Sequence, residues 1–375
     1  MNIAIYVDYF LPASETFIFD QIELLSTSHN VTVICKELNL EIKSSNSYGV
    51  QNLFRKRFYY RVYKFLYRKQ WYKLSSKWIS FFLTKYLRPG HYDVIICHFL
   101  TNALDFMHIK LKSPLMVIIH GYDGSQFLKS KKNQEVVNNI IEQKRIEYYF
   151  VSKNLKRLAQ SYCPKLDGNT IFLGSKIWNR SFNFPDHQSE VHICQISRLV
   201  PKKGVDIAIL AVKILLEIKD LPYVIKFKII GSGPYEKELK SLATPYLNKN
   251  IFFEGELPHE QTLNILETAQ IYLQPSIVAK DGDSDGLSIS LIEAIVMDRW
   301  IISTQNSGVT ELLDSVGTAE NIFVCEPNPM EISAILQENI ARFLMRPTNT
   351  IQKSNLSNHN QMQIIQSYGN LKERK

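Results

Sequence analysis

The sequence predicts an α/β protein of two doubly wound domains, each a parallel sheet covered on both faces. Short, nearly continuous β-branched runs recur along the chain, the pattern of strands buried on both sides. Helical patterns separate these runs in two successive series, the mark of β-α-β units. A length of 375 residues fits about two domains, and 45% apolar side chains give each a core to bury. With 21% charged residues, the composition excludes a disordered or fibrous chain.

In the first series IAIYV, VTVIC, DVIICHF, PLMVIIH and YYFVS read as strands, with helices around Thr16–Ser26 and Glu135–Lys144. The segment Gly174–Glu190 is polar, turn-rich and aperiodic, which places the domains at 1–180 and 190–350. In the second series VHICQIS, KFKII, IFFEG, IYLQPS, WIIST and NIFVCE are the strands. Helices at Val205–Ile218, Tyr235–Leu242, Glu260–Thr268 and Leu287–Met297 lie between them. A terminal helix within 355–375 is expected to pack back toward the N-terminal domain. No run of about 18 uncharged apolar residues exists, so no transmembrane helix is expected. The opening MNIAIYVDYF has no basic n-region, so no signal peptide is expected. Five cysteines without a C-x-x-C pair argue against a disulfide framework or a zinc site.

The net charge of +8 is concentrated in one place. From Ile42 to Tyr92 there are twelve Lys/Arg and no acid, which leaves the rest of the chain mildly acidic. Within that segment Phe58, Val62, Phe65, Leu66, Leu74, Trp78, Phe81 and Phe82 recur at roughly helical spacing among basic residues. A basic amphipathic helix with aromatics suits an anionic membrane surface. A single-stranded nucleic acid and an ordinary helix pair with a solvated basic face are the competing readings. The acidic remainder of the chain argues against nucleic acid. Arg55, Lys56, Arg57, Arg61, Trp71 and Trp78 are the candidate membrane contacts.

Four constellations carry possible chemistry. Gly231-Ser232-Gly233-Pro234 follows the strand KFKII, where glycines let backbone amides approach a phosphate. The third glycine of a dinucleotide fingerprint is missing; a plain tight turn with Pro234 opening the helix is the alternative. Arg198, Lys202 and Lys203 follow VHICQIS, and cations just past a strand end can clamp a diphosphate or simply sit in solvent. In DGDSDGLSISLIEAIVMDRW, Asp285 and Glu293 are eight residues apart. Gly286 opens a helix whose first amides, at Leu287, Ser288 and Ile289, can receive a phosphate. Asp281, Asp283 and Asp285 resemble the start of a calcium loop, but its twelfth position is Ile292, not an acid. The same acids also match a D-x-D metal motif. Finally, His120-Gly121-Tyr122-Asp123 follows PLMVIIH and places a histidine at a strand end.

Taken in order, these motifs resemble the retaining glycosyltransferases of family 4, from Ile3 to about Leu313 and in the terminal helix. DGDSDGLSISLIEAIVMDRWIISTQNSGVTELL looks like that family's acid-seven-residues-acid signature, SRLVPKKGVDIAILAV like its diphosphate clamp, and GSGPYEKEL like its glycine loop. YFLPASETFIFDQIELL, HGYDGSQF and VSKNLKRLAQSYC are similar to a subgroup that builds exopolysaccharide, of the colanic-acid and amylovoran type. The resemblance implies the GT-B architecture: two facing Rossmann-like domains, an N-terminal one for acceptor and a C-terminal one for donor, with a cleft between them. It implies a metal-independent transferase with no cofactor besides its donor substrate, a UDP- or GDP-linked sugar, and a lipid-linked glycan acceptor. It also implies a cytoplasmic protein, peripheral on the inner face of the membrane. Arg198 and Lys203 would neutralise the departing diphosphate, with the amides of Leu287 to Ile289 and the Gly231/Gly233 loop beside them. Glu293 would hold the ribose, Asp285 the donor sugar's hydroxyls, and His120 would lie beside the reacting sugar. Ser14, Glu15 and Thr16 would lie on the acceptor side. The chain departs from the family in having Asp285 where Glu is usual, MDRW where M-G-x-P is common, and LPASETF and GSKIWNRSF where other loops are usual. These departures raise an alternative, a membrane scaffold of the same fold that has lost turnover. A metal-dependent transferase of the other main fold is a further one.

Overall fold

The computed structural model describes residues 1–10, 16–38, 48–54, 57–87, 91–143, 145–171, 175, 177, 180–187, 189–280, 283, 286–317, 319–348, 351 and 365. The chain divides into two compact units, Met1–Leu173 with Asn358–Lys375, and Gly174–Ser357. The helix expected in 355–375 lies outside the described residues, apart from Ile365.

The first unit runs β1 (Asn2–Phe10), α1 (Thr16–Ser26), β2 (Asn30–Leu38), β3 (Gly49–Asn52), α2 (Arg57–Arg68), α3 (Tyr72–Tyr86), β4 (Val94–His98) and α4 (Leu100–Ala103). It continues with β5 (Leu115–Ile119), α5 (Lys131–Ile141), β6 (Ile146–Phe150), α6 (Lys153–Tyr162) and β7 (Asn169–Thr170). Its sheet is parallel, in the order β3-β2-β1-β4-β5-β6-β7. The central strands are buried on both faces: Ile3 to Val7 and all of β4 and β5 lose their solvent, as their unbroken apolar runs require.

The second unit runs β8 (Glu190–Ile196), α7 (Val205–Leu216), β9 (Val224–Ile230), α8 (Glu236–Ala243), β10 (Ile251–Gly255), α9 (His259–Glu267), β11 (Ile271–Gln274), α10 (Ile289–Val296), β12 (Trp300–Thr304), α11 (Val309–Val316), β13 (Ile322–Cys325) and α12 (Pro329–Phe343). Its strands are also parallel, ordered β10-β9-β8-β11-β12-β13. Helix α7 is apolar along most of its length and buries Val205, Ala208, Ile209, Ala211, Val212 and Leu215 against this sheet. Helix α12 starts where Asn328 accepts the amide of Met330 and Pro329 takes the first turn, a combined cap of about 1 kcal/mol.

Each sheet reverses its winding once, between β1 and β4 in the first unit and between β8 and β11 in the second. Ligands of doubly wound sheets bind at the carboxyl ends of the strands beside that reversal. In each unit the ligand edge is therefore expected at the carboxyl ends of the strands beside the reversal, β4 in the first and β8 and β11 in the second.

The MDRW departure forms a tight corner. Asp298 has φ 58°, the left-handed conformation that a glycine takes easily, and its carboxylate pairs with Arg346. Arg299 is fully buried and donates to the carbonyls of Met297, Glu267, Ala269 and Asn183. Burial draws its guanidinium down to about 10. Trp300 starts β12 inside the core and donates from its ring nitrogen to the Met345 carbonyl at 2.8 Å.

Candidate active site

In the second unit the backbone brings three loops together at the carboxyl edge of the sheet. Leaving β8, the chain donates from Ser197 N to the Ile230 carbonyl (3.0 Å) and from Leu199 N to the Ser232 carbonyl (2.9 Å). The Tyr235 amide returns a bond to the Leu199 carbonyl. This contact requires glycine. A Cβ at Gly231, where φ is 130°, would overlap the Ser197 carbonyl, and one at Gly233 would overlap the Leu199 carbonyl. The glycine loop thus lies directly on the segment that carries Arg198, which is solvent-exposed. Pro234 does not open α8, which begins two residues later at Glu236; Pro234 belongs to the turn itself.

Lys203 follows on the same segment, in a 3-10 turn before Gly204, and Gln195 fixes that turn by donating to the Lys203 carbonyl at 3.0 Å. Lys202 is buried and pairs with Asp283 at 3.1 Å, tying this segment to the acidic loop. Helix α10 approaches the same edge. Gly308 comes within contact of its entrance, since a Cβ there would stand 2.8 Å from the Leu287 nitrogen.

The helix begins at Ile289, with Ser288 as its N-cap and Gly286 and Leu287 ahead of it. Its start is two residues later than the sequence suggests, because extended Ser288 (ψ 138°) ends the loop. The Ser288 hydroxyl pairs with Ser290 Oγ (2.7 Å) instead of capping its own helix. Ser290 also bonds Tyr272 Oη (2.7 Å), which donates to Gln274 Oε1 (2.9 Å), fixing this end of α10 on β11. Glu293 is 3% exposed and is held by His259 Nε2 at 2.7 Å.

Residues 177–354 match the family described as Glycosyl transferases group 1. Over 235 residues the chain is 27% identical to the amylovoran biosynthesis glycosyltransferase AmsK of Erwinia amylovora, covering 60% of this chain and 56% of that one. It is 26% identical over 242 residues to WcaL of Escherichia coli K12, named as a colanic acid biosynthesis glycosyltransferase, covering 60% and 57%. The aligned stretch thus spans little more than half of these relatives. Among solved structures, sucrose-phosphate synthase from Thermosynechococcus elongatus matches with a TM-score of 0.74 at 12% identity, covering 100% of both chains. Two parallel-sheet α/β units of this kind are the GT-B fold.

The group 1 match covers the diphosphate-clamp and glycine-loop motifs, the approach of α10, and Glu293. Asp285 lies outside the described residues, as do Ser14, Glu15, Arg55 and Lys56 and the side chains of Thr16 and Arg57.

In the first unit the candidate residue His120 is partly buried and meets a second histidine. His98 ends β4 with no exposure, and His120 follows β5. His98 Nδ1 and His120 Nε2 are 3.0 Å apart, and His98 Nε2 is 2.8 Å from Gln21 Oε1 of α1. The His120 ring lies 4.7 Å from both the Phe17 and Phe99 rings. Burial pushes His98 down to about 3, and burial with His98 beside it holds His120 well below the ordinary histidine range. Both rings are neutral at physiological pH. Asp123 accepts from the amides of Leu100 (2.7 Å), Gly121 (3.0 Å) and His120 (3.1 Å), joining the loops after β4 and β5. Phe99 adopts φ 73° between them, a strained conformation for an aromatic residue.

Beside this lies a buried ionic node. Lys36 of β2 contacts Asp105 (2.7 Å), Asp8 (3.3 Å), Tyr63 Oη (2.8 Å) and Asn102 Oδ1 (3.0 Å). Burial pushes the Lys36 ammonium down, but Asp105 and Asp8 outweigh it and hold it above the ordinary lysine range.

Tyr63 belongs to α2, so the node also anchors the basic segment. Its tyrosines Tyr60 and Tyr63 face inward, whereas Phe58, Phe65, Trp71, Leu74 and Phe81 are exposed, Phe81 by 78%. Phe58, Arg61, Phe65 and Arg68 share one exposed face of α2, and Leu74, Lys77, Phe81 and Lys85 one face of α3. Trp78 is half-buried between Tyr59 and Phe82. The inward face is made of tyrosines, so the phenylalanine stripe legible in the sequence is largely outward. Among the described residues no helix is long and apolar enough to cross a membrane.

Sequence reasoning missed Gln21, His98, His259, Tyr272 and Ser290. Ser290 and Gln21 lie within quoted motifs, but no spacing marks their partners, and each of the five meets its partner only through the fold.

Proposed function

We propose that this chain is a retaining, metal-independent glycosyltransferase of family 4. It moves one sugar from a UDP- or GDP-linked donor to a lipid-linked or similar glycan acceptor, in building a bacterial exopolysaccharide, capsule or O-antigen. The observation that carries this reading is the glycine loop lying on the Arg198 segment beside the start of α10. Together these loops offer two cations, close-approach backbone and a helix N-terminus to one anion.

Arg198 and Lys203 supply positive charge to the diphosphate as its bond to the sugar opens. The acceptor hydroxyl bonds the same carbon from the same face, and its proton passes to the leaving diphosphate. Glu293 holds the ribose hydroxyls, Asp285 those of the donor sugar, and His120 faces the reacting sugar. The inactive-scaffold alternative drew on Asp285 and on MDRW. Asp298 keeps the glycine-like turn and finds a partner in Arg346, which removes the second ground.

The test is a thermal-shift series with UDP, GDP and their sugars, with and without EDTA. A ligand at about 100 times its Kd stabilises by about 2.7 kcal/mol. We expect a shift with one base, unaffected by EDTA, and loss of transfer in folded Glu293→Ala. Undiminished transfer by that variant would remove Glu293 from its role.

The outward Phe/Arg face of α2 and Phe/Lys face of α3 support a peripheral position on the anionic, cytoplasmic leaflet, each basic residue near the surface contributing about 1 kcal/mol. Arg61→Glu with Arg68→Glu should abolish sedimentation with phosphatidylserine vesicles at low salt. Unchanged sedimentation would refute the membrane part alone.

A further inference from the structure

We propose that Gln21 and His98 act as a relay that fixes His120 in one tautomer, protonated at Nε2 and bare at Nδ1. His120 then presents a hydrogen-bond acceptor, and the group it receives is a sugar hydroxyl acting as donor. This deepens the reading above and rests on His120 facing the sugar.

The argument is a proton count. His98 is fully buried and neutral, so it carries a single N–H. The carbonyl oxygen of Gln21, itself 2% exposed, stands 2.8 Å from His98 Nε2 and can only accept. The His98 proton is therefore on Nε2, and its Nδ1 must accept. The atom 3.0 Å from that Nδ1 is His120 Nε2, which must donate. His120 is neutral as well, so its Nδ1 keeps a lone pair. Each part is held in place: Asn102 donates to the His98 carbonyl at 2.9 Å, Asp123 accepts the His120 amide, and the Phe17 and Phe99 rings both contact the His120 ring.

A hydrogen bond to one ring nitrogen that selects a histidine tautomer is a general device. Here it passes through two rings and starts 99 residues upstream of the ring it serves. It excludes phosphate and carbonyl oxygens from the His120 position, since those groups cannot donate. A sugar hydroxyl can, so Gln21 and His98 are positioning residues that set specificity through His120.

The experiment is 15N–1H NMR of the full chain labelled at histidine, with His98→Gln and His120→Gln used to assign the two rings. The expected spectrum has proton-bearing Nε2 and bare Nδ1 on both. A proton on His120 Nδ1 would mean the relay runs in the opposite sense and would overturn the proposal. In Gln21→Met the His120 signature should become a mixture of tautomers and kcat/KM should fall about tenfold, the worth of one hydrogen bond. A Gln21→Met spectrum identical to the parent would also overturn it. If Gln21→Met does not fold, the parent spectrum still decides. The tautomer can be read without turnover, so a bare Nδ1 in a protein that transfers no sugar would fail the functional reading and leave the relay standing.

Discussion

The two units present the carboxyl ends of the same kind of sheet, yet they build their sites by opposite means. The second unit relies on backbone. Glycines at 231, 233 and 308 let loops touch where no side chain fits, and Arg198 lies in solvent beside them. The first unit relies on side chains that saturate one another: Gln21 with His98 and His120, and Lys36 with Asp105, Asp8, Tyr63 and Asn102. Backbone amides and exposed cations suit a diphosphate, whose charge is the same whatever sugar it carries. The uncharged part of the first unit's set, Gln21 with His98 and His120, offers fixed donors and acceptors of the kind that suit hydroxyls. The difference between the units is thus one of means: close backbone approach in one, mutually bonded side chains in the other.

The largest effect should come from the first unit. Asp105→Ala leaves Lys36 buried with only the half-exposed Asp8 as counter-charge, at a cost of about 3–5 kcal/mol in chemical denaturation. Replacing the pair together, Lys36→Met with Asp105→Leu, should recover most of it. A single variant as stable as the parent would show that the node is not held by charge. Next comes Gly231→Ala, which forces the loop off Ser197 and should cost about 2–3 kcal/mol while weakening nucleotide binding. Unaltered nucleotide affinity would break the claim that close backbone approach builds this site. The smallest should be Asp298→Gly. Relief of a left-handed residue, up to about 1 kcal/mol, is set against loss of a partly exposed ion pair of similar worth, so the net shift stays within about 1 kcal/mol.

The units could be read from sequence because strands buried on both faces must be written as unbroken apolar runs, as β1, β4 and β5 are. The edge strands β3 and β7 could not, since GVQN and NT carry no such run. Helix α12 carries its start signal in Asn328-Pro329, a cap written in two adjacent residues. Arg198, Lys203, the glycine loop and Glu293 could be singled out because each lies in a short local motif, whereas the strand order that brings their loops to one edge is written in none of them. His259 and the Gln21–His98 relay could not be, because their partners are 34, 77 and 22 residues away and nothing nearby in the chain marks the pairing.

All five cysteines are free and buried, three in the first unit and two in the second. Burial lifts the Cys35 and Cys325 thiols to about 12. Alkylation requires a thiolate, so an intact sheet protects them chemically as well as sterically. Cys35 sits on β2 and Cys325 on β13, one in each sheet. The rate at which an alkylating reagent modifies each one is then a clock for the opening of that sheet, and the chain carries such a reporter in each unit without any label being added.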